Sequence, residues 1–290
     1  MGFYTRIAMK YFGEWGEKLL PYYNEVKMDL KRARMGYSLQ EYISVAILTG
    51  LMVFCVEFPL LCVIFVILSQ NPLFSFIFSF TISIFLSLTF FYSMMSYPKI
   101  VIMERAKEID KVLPFASVYL STIAGSKIPL HQVFKIFSKY SEYGQFTEEI
   151  SSIVNDTETF GMDVNTALER AVERSPSKNL RELFWGLLSM SRTGGDINSF
   201  LREKAKTFMT EYRRKLYEFS HQLTMFIEIY ITAIILGAVF FTILSAIFSG
   251  LAGIGSNIIF LQFLIIFLFL PIVSTAFIIF IKSIAPGGEQ

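Results

Sequence analysis

Two acids stand where acids are expensive. Glu57 lies about midway along one long apolar stretch, and Glu228 lies a turn or two inside another. An unpaired charge at the centre of a bilayer costs on the order of 3 kcal/mol or more, so such a carboxyl is protonated, faces other helices or meets a polar partner. Each acid has two readings. Either it binds or senses a membrane-embedded partner, or it is a protonated side chain bonded to a nearby Tyr, Ser or Thr. Glu228 also sits close enough to the end of its stretch to reach water.

Other chemistry is sparse. His131 and His221 are the only histidines; the first opens a short helix and the second sits near headgroup level. Cys55 and Cys62 are seven apart in one apolar stretch, a spacing that reads as packing rather than metal binding or a disulfide framework. Gly125-Ser126-Lys127 lacks the leading glycine and the following hydroxyl of a phosphate loop, and there is no H-E-x-x-H pair and no G-x-S-x-G elbow. The expected protein is not an enzyme and uses no cofactor and no metal. A nucleotide-driven step has to come from a partner.

The elements that hold these residues are set by hydropathy. Four apolar stretches, residues 43–69, 72–97, 223–248 and 257–281, each exceed the roughly 20 residues that span a bilayer. Of 26 Lys and Arg, seven precede the first stretch, 18 lie within 98–221, and Lys282 follows the last. The short connections within the pairs carry none. Basic loops stay cytoplasmic, which places both termini and the middle on the cytoplasmic side of a multi-pass cell-membrane protein. A net charge of +2 is too weak to argue for nucleic acid. Residues 1–41 show no continuous apolar core ahead of a small-residue cleavage site, so no cleavable signal is expected.

Before the first stretch the chain reads as two helical pieces broken at Pro21. The second piece is basic and ended by Gly36, and Ser38 caps the helix that becomes the first span. That segment either lies on anionic headgroups or packs on the cytoplasmic domain. The middle repeats one device. A helix ends at Gly125, Gly161 or Gly194-Gly195, and a new helix starts at Pro129, Asp163 or Asp196. Glycine supplies the left-handed helix end and the next residue caps orphan amides. Ser175-Pro176 is read as a further N-cap and first-turn proline. Apolar residues at helical spacing mark the buried faces: Val112, Phe115, Ala116, Tyr119 and Ile123 in the first helix, Ile150, Ile153, Val154 and Thr157 in the third. The sixth helix has no proline or glycine pair between residues 197 and 248 and is expected to run into the bilayer unbroken. Tyr97-Pro98 is expected to bend the entry from the second span. Gln262, Pro271 and Ser274 in the fourth stretch read as helix-packing features.

Three segments carry a resemblance. Leu113-Pro114, then Ala124-Gly125 and Pro129-Leu130, resemble the opening of the type II secretion system F domain. Phe160-Gly161-Met162-Asp163-Val164 with Ala167-Leu168-Glu169-Arg170 looks like its second segment. Ser175-Pro176-Ser177, then Thr193-Gly194-Gly195-Asp196-Ile197 and Leu201, is similar to its third. Ala33-Arg34-Met35-Gly36-Tyr37-Ser38, leading to Glu41-Tyr42, resembles the segment before the first span in the TadC and archaellum FlaJ branches. The resemblance implies a platform protein for type IV pilus-like filaments, archaella or secretion pseudopili. It would work with a hexameric secretion ATPase and pilin-like subunits taken from the lipid bilayer. Its single F-like domain resembles the TadB/TadC layout rather than GspF or PilC and implies a homodimer or a paired second F-domain protein. On this reading Lys127, His131, Arg192, Asp196 and Arg202, around the glycine corners, are the groups that meet the ATPase; the plainer reading is solvated turn residues.

The expected fold is an all-α membrane protein, with four transmembrane helices in two hairpins flanking a cytoplasmic six-helix bundle. Residues 1–42 form a cytoplasmic helical segment, 43–97 the first hairpin, 98–222 the F-like domain, 223–282 the second hairpin and 283–290 a cytoplasmic tail. A transporter subunit working with a separate ATPase is the competing reading; it calls for convergent polar groups at midplane, and Glu57 with scattered Ser and Thr is a thin supply. A membrane-anchored signalling scaffold would need more than the few external residues available.

Overall fold

The computed structural model describes residues 3–69, 71–139, 143–252, 267–268 and 270–284. Among them every regular element is helical. The order is α1 (Phe3–Leu19), a 3-10 turn (Leu20–Tyr23), α2 (Asn24–Arg32), α3 (Leu39–Ser69), α4 (Pro72–Ala124), α5 (Leu130–Ser138), α6 (Gly144–Glu158), α7 (Val164–Arg174), α8 (Lys178–Thr193), α9 (Ile197–Ala252) and α10 (Leu270–Ile284). Three of these, α3, α4 and α9, are long and apolar enough to cross a membrane. Much of the expected fourth span, including Gln262, lies outside the described residues. Its described part is an apolar helix over Pro271–Lys282. The chain divides into two compact units, residues 1–205 and 206–290.

In the first unit, α3 and α4 lie antiparallel and close. The Ser87 hydroxyl donates to the Gly50 carbonyl at 2.8 Å. Ser75, Ser79 and Ser83, one turn apart on α4, are fully buried, and Phe54 and Phe58 meet Phe80 edge to face at 5.9 and 5.8 Å. Small residues at a helix contact let backbones approach and gain dispersion, which is the main attraction available where lipid replaces water.

Pro98 does not end α4. The helix runs 53 residues through both Pro98 and Pro114. Proline lacks the N–H that would bond the carbonyl four residues back. For Pro98 that carbonyl belongs to Met94, and the Tyr42 hydroxyl of α3 donates to it instead. Tyr42 and Met95 belong to a small apolar core with Val26, Leu30, Ile43 and Ala46, which joins α2, α3 and α4. α2 therefore packs on protein rather than lying free on headgroups. It ends in a Schellman pattern, with Met35 N–H on Leu30 O and Arg34 N–H on Lys31 O. The left-handed residue is Arg34, at φ 53°, not Gly36. Ser38 and Glu41 then form a reciprocal capping box at the start of α3: Glu41 N–H donates to Ser38 Oγ and Ser38 N–H to the Glu41 carboxylate.

The main core lies among α4 to α8 and the start of α9. Leu113, Ala116 and Leu120 of α4, Phe134 and Phe137 of α5, Phe146 and Ile150 of α6, and Leu183, Phe184 and Leu187 of α8 are all buried. Each large apolar side chain contributes about 1.5–3 kcal/mol when fully buried. On α4 the inward face is shifted one residue from the expected stripe: Leu113 and Leu120 are inside and Phe115 is exposed. This part of α4 is apolar on more than one side, so spacing alone does not fix which stripe faces the other helices. Gly186 of α8 leaves room for a ring of α9. A Cβ there would collide with the Phe200 ring.

In the second unit, α9 and α10 pair antiparallel. The Tyr230 ring stacks on Phe277 at 4.3 Å while its hydroxyl meets Ser274 Oγ at 2.6 Å. Phe226 meets Phe280 edge to face at 5.4 Å.

Candidate functional site: an exposed corner face and a buried ionic hub

The glycine corners are built in three different ways. Gly161 and Gly194 take the left-handed conformation at φ 64° and 71°, where a Cβ would clash with the backbone. Gly195 N–H then returns to Met190 O at 2.9 Å, completing the Schellman pattern after α8. At Gly195 a Cβ would lie 2.6 Å from Met190 Sδ, which that flexible side chain would have to vacate. After α4 the expectation fails: Gly125 stays right-handed at φ −59°, and Lys127 takes the left-handed position at φ 55°. Ser175 closes α7, and the N-cap of α8 is Ser177, whose hydroxyl accepts from Leu180 N–H at 3.1 Å. The Ser177 hydroxyl also donates to Asp110 of α4, which Asn179 joins at 3.3 Å. Pro176 shifts the start of α8 by two residues because the chain is extended at Ser175 and Ser177.

The five polar residues chosen from sequence are all exposed. Asp196 caps α9, accepting from Asn198 N–H at 3.0 Å, Ser199 N–H at 3.3 Å and the Ser199 hydroxyl at 2.5 Å. Those bonds, the Ser199 hydroxyl first, hold its carboxyl below the usual aspartate range, and the positive charge of Lys127 adds to them. Arg192 is engaged with Glu169 of α7. His131 and Arg202 lie on the surface of α5 and α9. The five residues put both signs of charge on the exposed surface.

A second polar cluster is buried, and sequence reasoning missed it. Glu149 of α6 is wholly inaccessible. Arg105 Nη2 of α4 donates to its Oε1 at 2.8 Å, Arg34 Nη2 lies 3.1 Å from the same oxygen, and Arg174 Nε of α7 reaches Oε2 at 3.3 Å. Arg34 also pairs with Glu148 at 2.9 Å and donates to Ser152 Oγ at 2.8 Å, while Arg174 reaches Asp156 at 3.5 Å. Three guanidiniums meet three carboxylates. Arg105 further donates to Gln145 at 2.9 Å and to the Arg32 carbonyl, and Arg32 donates to the Glu173 carbonyl at 3.3 Å. The cluster fastens the end of α2 to α4, α6 and α7. Its signal was available: Glu149 falls on the arc between Phe146 and Ile153, so the buried face of α6 carries a charge that needs a partner. An open pocket beside it, about 550 Å³, is lined by Arg34, Thr147, Glu148, Ser151, Ser152 and Asn155.

In the apolar helices, one Glu57 oxygen is buried and without a hydrogen-bond partner. The pairing of Gly50 with Ser87 and of Phe58 with Phe80 sets Glu57 level with Ser79 and Ser83, whose hydroxyls are also buried and unpartnered. Glu228 is exposed on α9. Among the described residues no group of three or more His, Cys, Asp and Glu is placed to hold a metal.

Two archaeal proteins share sequence with parts of this chain. It is 28% identical to the uncharacterized protein MJ1286 of Methanocaldococcus jannaschii over 137 residues, 47% of this chain and 23% of that protein. It is 33% identical to the uncharacterized protein MJ0780 of the same organism over 88 residues, 30% of this chain and 26% of that protein. The match thus spans about a quarter of the length of each relative. No solved structure matches. The family model for type II secretion system (T2SS), protein F, matches residues 116–245, which run from the last turns of α4 through α5 to α8 into the apolar part of α9. Over residues 116–245 the chain is therefore similar to the type II secretion system protein F family.

Proposed function

We propose that this protein is a multi-pass platform of the cell membrane that assembles type IV pilus-like filaments, archaella or secretion pseudopili. It couples a cytoplasmic secretion ATPase to membrane-embedded pilin-like subunits. The F-domain match over residues 116–245 carries the reading. The three helices able to cross a membrane and the unbroken α9 support it. The role is structural rather than enzymatic: the ATPase supplies the chemical step, and this chain receives it.

On this reading the corner face, Lys127, Asp196, Arg192, Arg202 and His131, lies in the cytoplasm and meets the ATPase. Glu57 offers a carboxyl to a membrane helix of the pilin-like subunit. One F domain in this sequence is matched by a second copy or a paired F-domain protein.

Affinity purification of the full chain from its native membranes tests the proposal. Co-recovery of a secretion-type ATPase, and loss of surface filaments when the protein is removed, is the expected result. Normal filaments without it would refute the reading. Glu57→Gln keeps a hydrogen-bonding group and Glu57→Ala does not. Normal assembly by both variants would remove Glu57 from the mechanism.

A further inference from the structure

We infer that α1 is a membrane-inserted helix, lying along α3 within the leaflet that the basic loops face, with its outer side in lipid. This rests on the reading of α3 as a span. It moves the lipid contact of the N-terminal segment from the basic α2, which packs on protein, to α1.

The register comes from polar contacts. Gln40 Nε2 donates to Gly13 O at 3.1 Å, the Ser44 hydroxyl approaches Phe12 O at 3.4 Å, and Tyr4 Oη meets Thr49 Oγ1 at 2.8 Å. As α1 numbers fall, α3 numbers rise, so the helices are antiparallel. Apolar sequence in α3 begins at Ile43. Thr49 is six residues further on, about 9 Å at 1.5 Å per residue. The start of α1 is therefore beside a part of α3 that is already inside the hydrocarbon, and Trp15 is near its edge.

The helix is built for that position. Its α3-facing residues are small: Thr5, Ala8 and Gly16 are buried, and a Cβ on Gly16 would sit 2.6 Å from Ser44 Oγ. This is close packing of the kind that joins helices in lipid. The outward side carries Phe3, Tyr11 and Trp15, exposed by 80%, 68% and 64%. α3 itself changes along its length. Ser44, beneath Gly16 of α1, is buried, whereas Leu51 and Val56 further on are open. Something apolar has to cover both surfaces at the same level, and lipid already covers the second. Charge is denser toward the shallow end, with Glu14, Glu17 and Lys18, whereas Arg6 and Lys10 are exposed on the deeper half and extend their cations along the helix toward the headgroups. Lys18 lies over the Trp15 ring at 5.6 Å, a pairing that sets an aromatic ring at the interface and its cation in water.

The chain has two tryptophans, Trp15 and Trp185, and Trp185 is an exposed residue of α8. The full chain is reconstituted in phosphatidylcholine–phosphatidylglycerol vesicles as single-tryptophan variants. One retains Trp15, one retains Trp185, and two carry Phe3→Trp or Tyr11→Trp with both native tryptophans replaced by Phe. Quenching by lipids brominated at known depths is compared with quenching by aqueous iodide. The expected depth order is residue 3, then 11, then 15, each quenched severalfold more by lipid than Trp185 is. Iodide quenching of all three as strong as that of Trp185 would overturn the inference, as would a reversed order. Alkaline carbonate washing separates the two levels. Release of the whole chain defeats the spanning reading itself, while retention with iodide-quenched positions 3, 11 and 15 defeats only the placement of α1.

Discussion

The domain carries two ionic clusters that obey opposite rules. On the corner face, Lys127, Asp196, Arg192 and Arg202 are exposed and their charges are hydrated. In the hub, Glu149 is sealed off and Arg105 nearly so, and each charge is held by several bonds. Exposed pairs are worth little to the fold, typically under about 1 kcal/mol. Buried charges cost so much to desolvate that removing one partner leaves an intolerable remainder. The first cluster is therefore free to change at little cost to the fold. The second is fixed by the fold that it fastens together.

The largest effect expected from this contrast is at Glu149. Glu149→Gln leaves Arg34, Arg105 and Arg174 facing a neutral group, and thermal or denaturant unfolding should show a loss of about 3–5 kcal/mol. A change near zero would mean the hub is wet and the contrast false. Lys127→Gly comes next, with the opposite sign. It removes an exposed cation and relieves a left-handed backbone worth roughly 1–2 kcal/mol, less the entropy that glycine adds, leaving a gain of under about 1 kcal/mol. Loss of ATPase co-purification with that gain in stability would separate function from folding cleanly.

Charge reversal of Arg192 and Arg202 should move stability by less than about 1 kcal/mol while abolishing filament assembly with the chain still in the membrane. Adding Glu169→Lys restores the α7–α8 pair but not the partner's contact, so it should not rescue assembly. Normal assembly by the double reversal would take this face out of the proposal. The smallest effect is at Asp196. Its folded carboxyl titrates below the unfolded value, so its contribution is present above that value and fades as pH falls through the folded one, below about pH 4. Asp196→Asn should flatten that limb of the stability–pH curve and leave neutral pH nearly unchanged. Identical acid limbs would show that the cap bonds do not survive in solution.

The same contrast explains what could be read from the residues alone. Spans and corners are local: a run of apolar residues, a glycine, a capping Asp at 163 or 196. Each is set by neighbours a few positions away, which is why Ile150 and Ile153 of α6 lie inside as expected. The hub is non-local, joining residues 34, 105, 149 and 174. No spacing rule connects those positions, although a glutamate on an apolar helix face announced that something had to. Pro98 is a similar case. The rule that proline breaks helices is local, and its exception is a hydroxyl from another helix. The left-handed residues Arg34 and Lys127 were missed because glycine stood nearby and was the cheaper candidate.

That hydroxyl has a mechanical consequence. A helix as long as α4 bears load along its axis only if it has no soft point, and a proline near the edge of the apolar segment would be one. Tyr42 acts as a splint from the neighbouring helix, so the stiffness of α4 depends on α3 staying beside it. Anything that slides α3 by a turn would turn a strut into an elbow, with no change in the sequence of α4 at all.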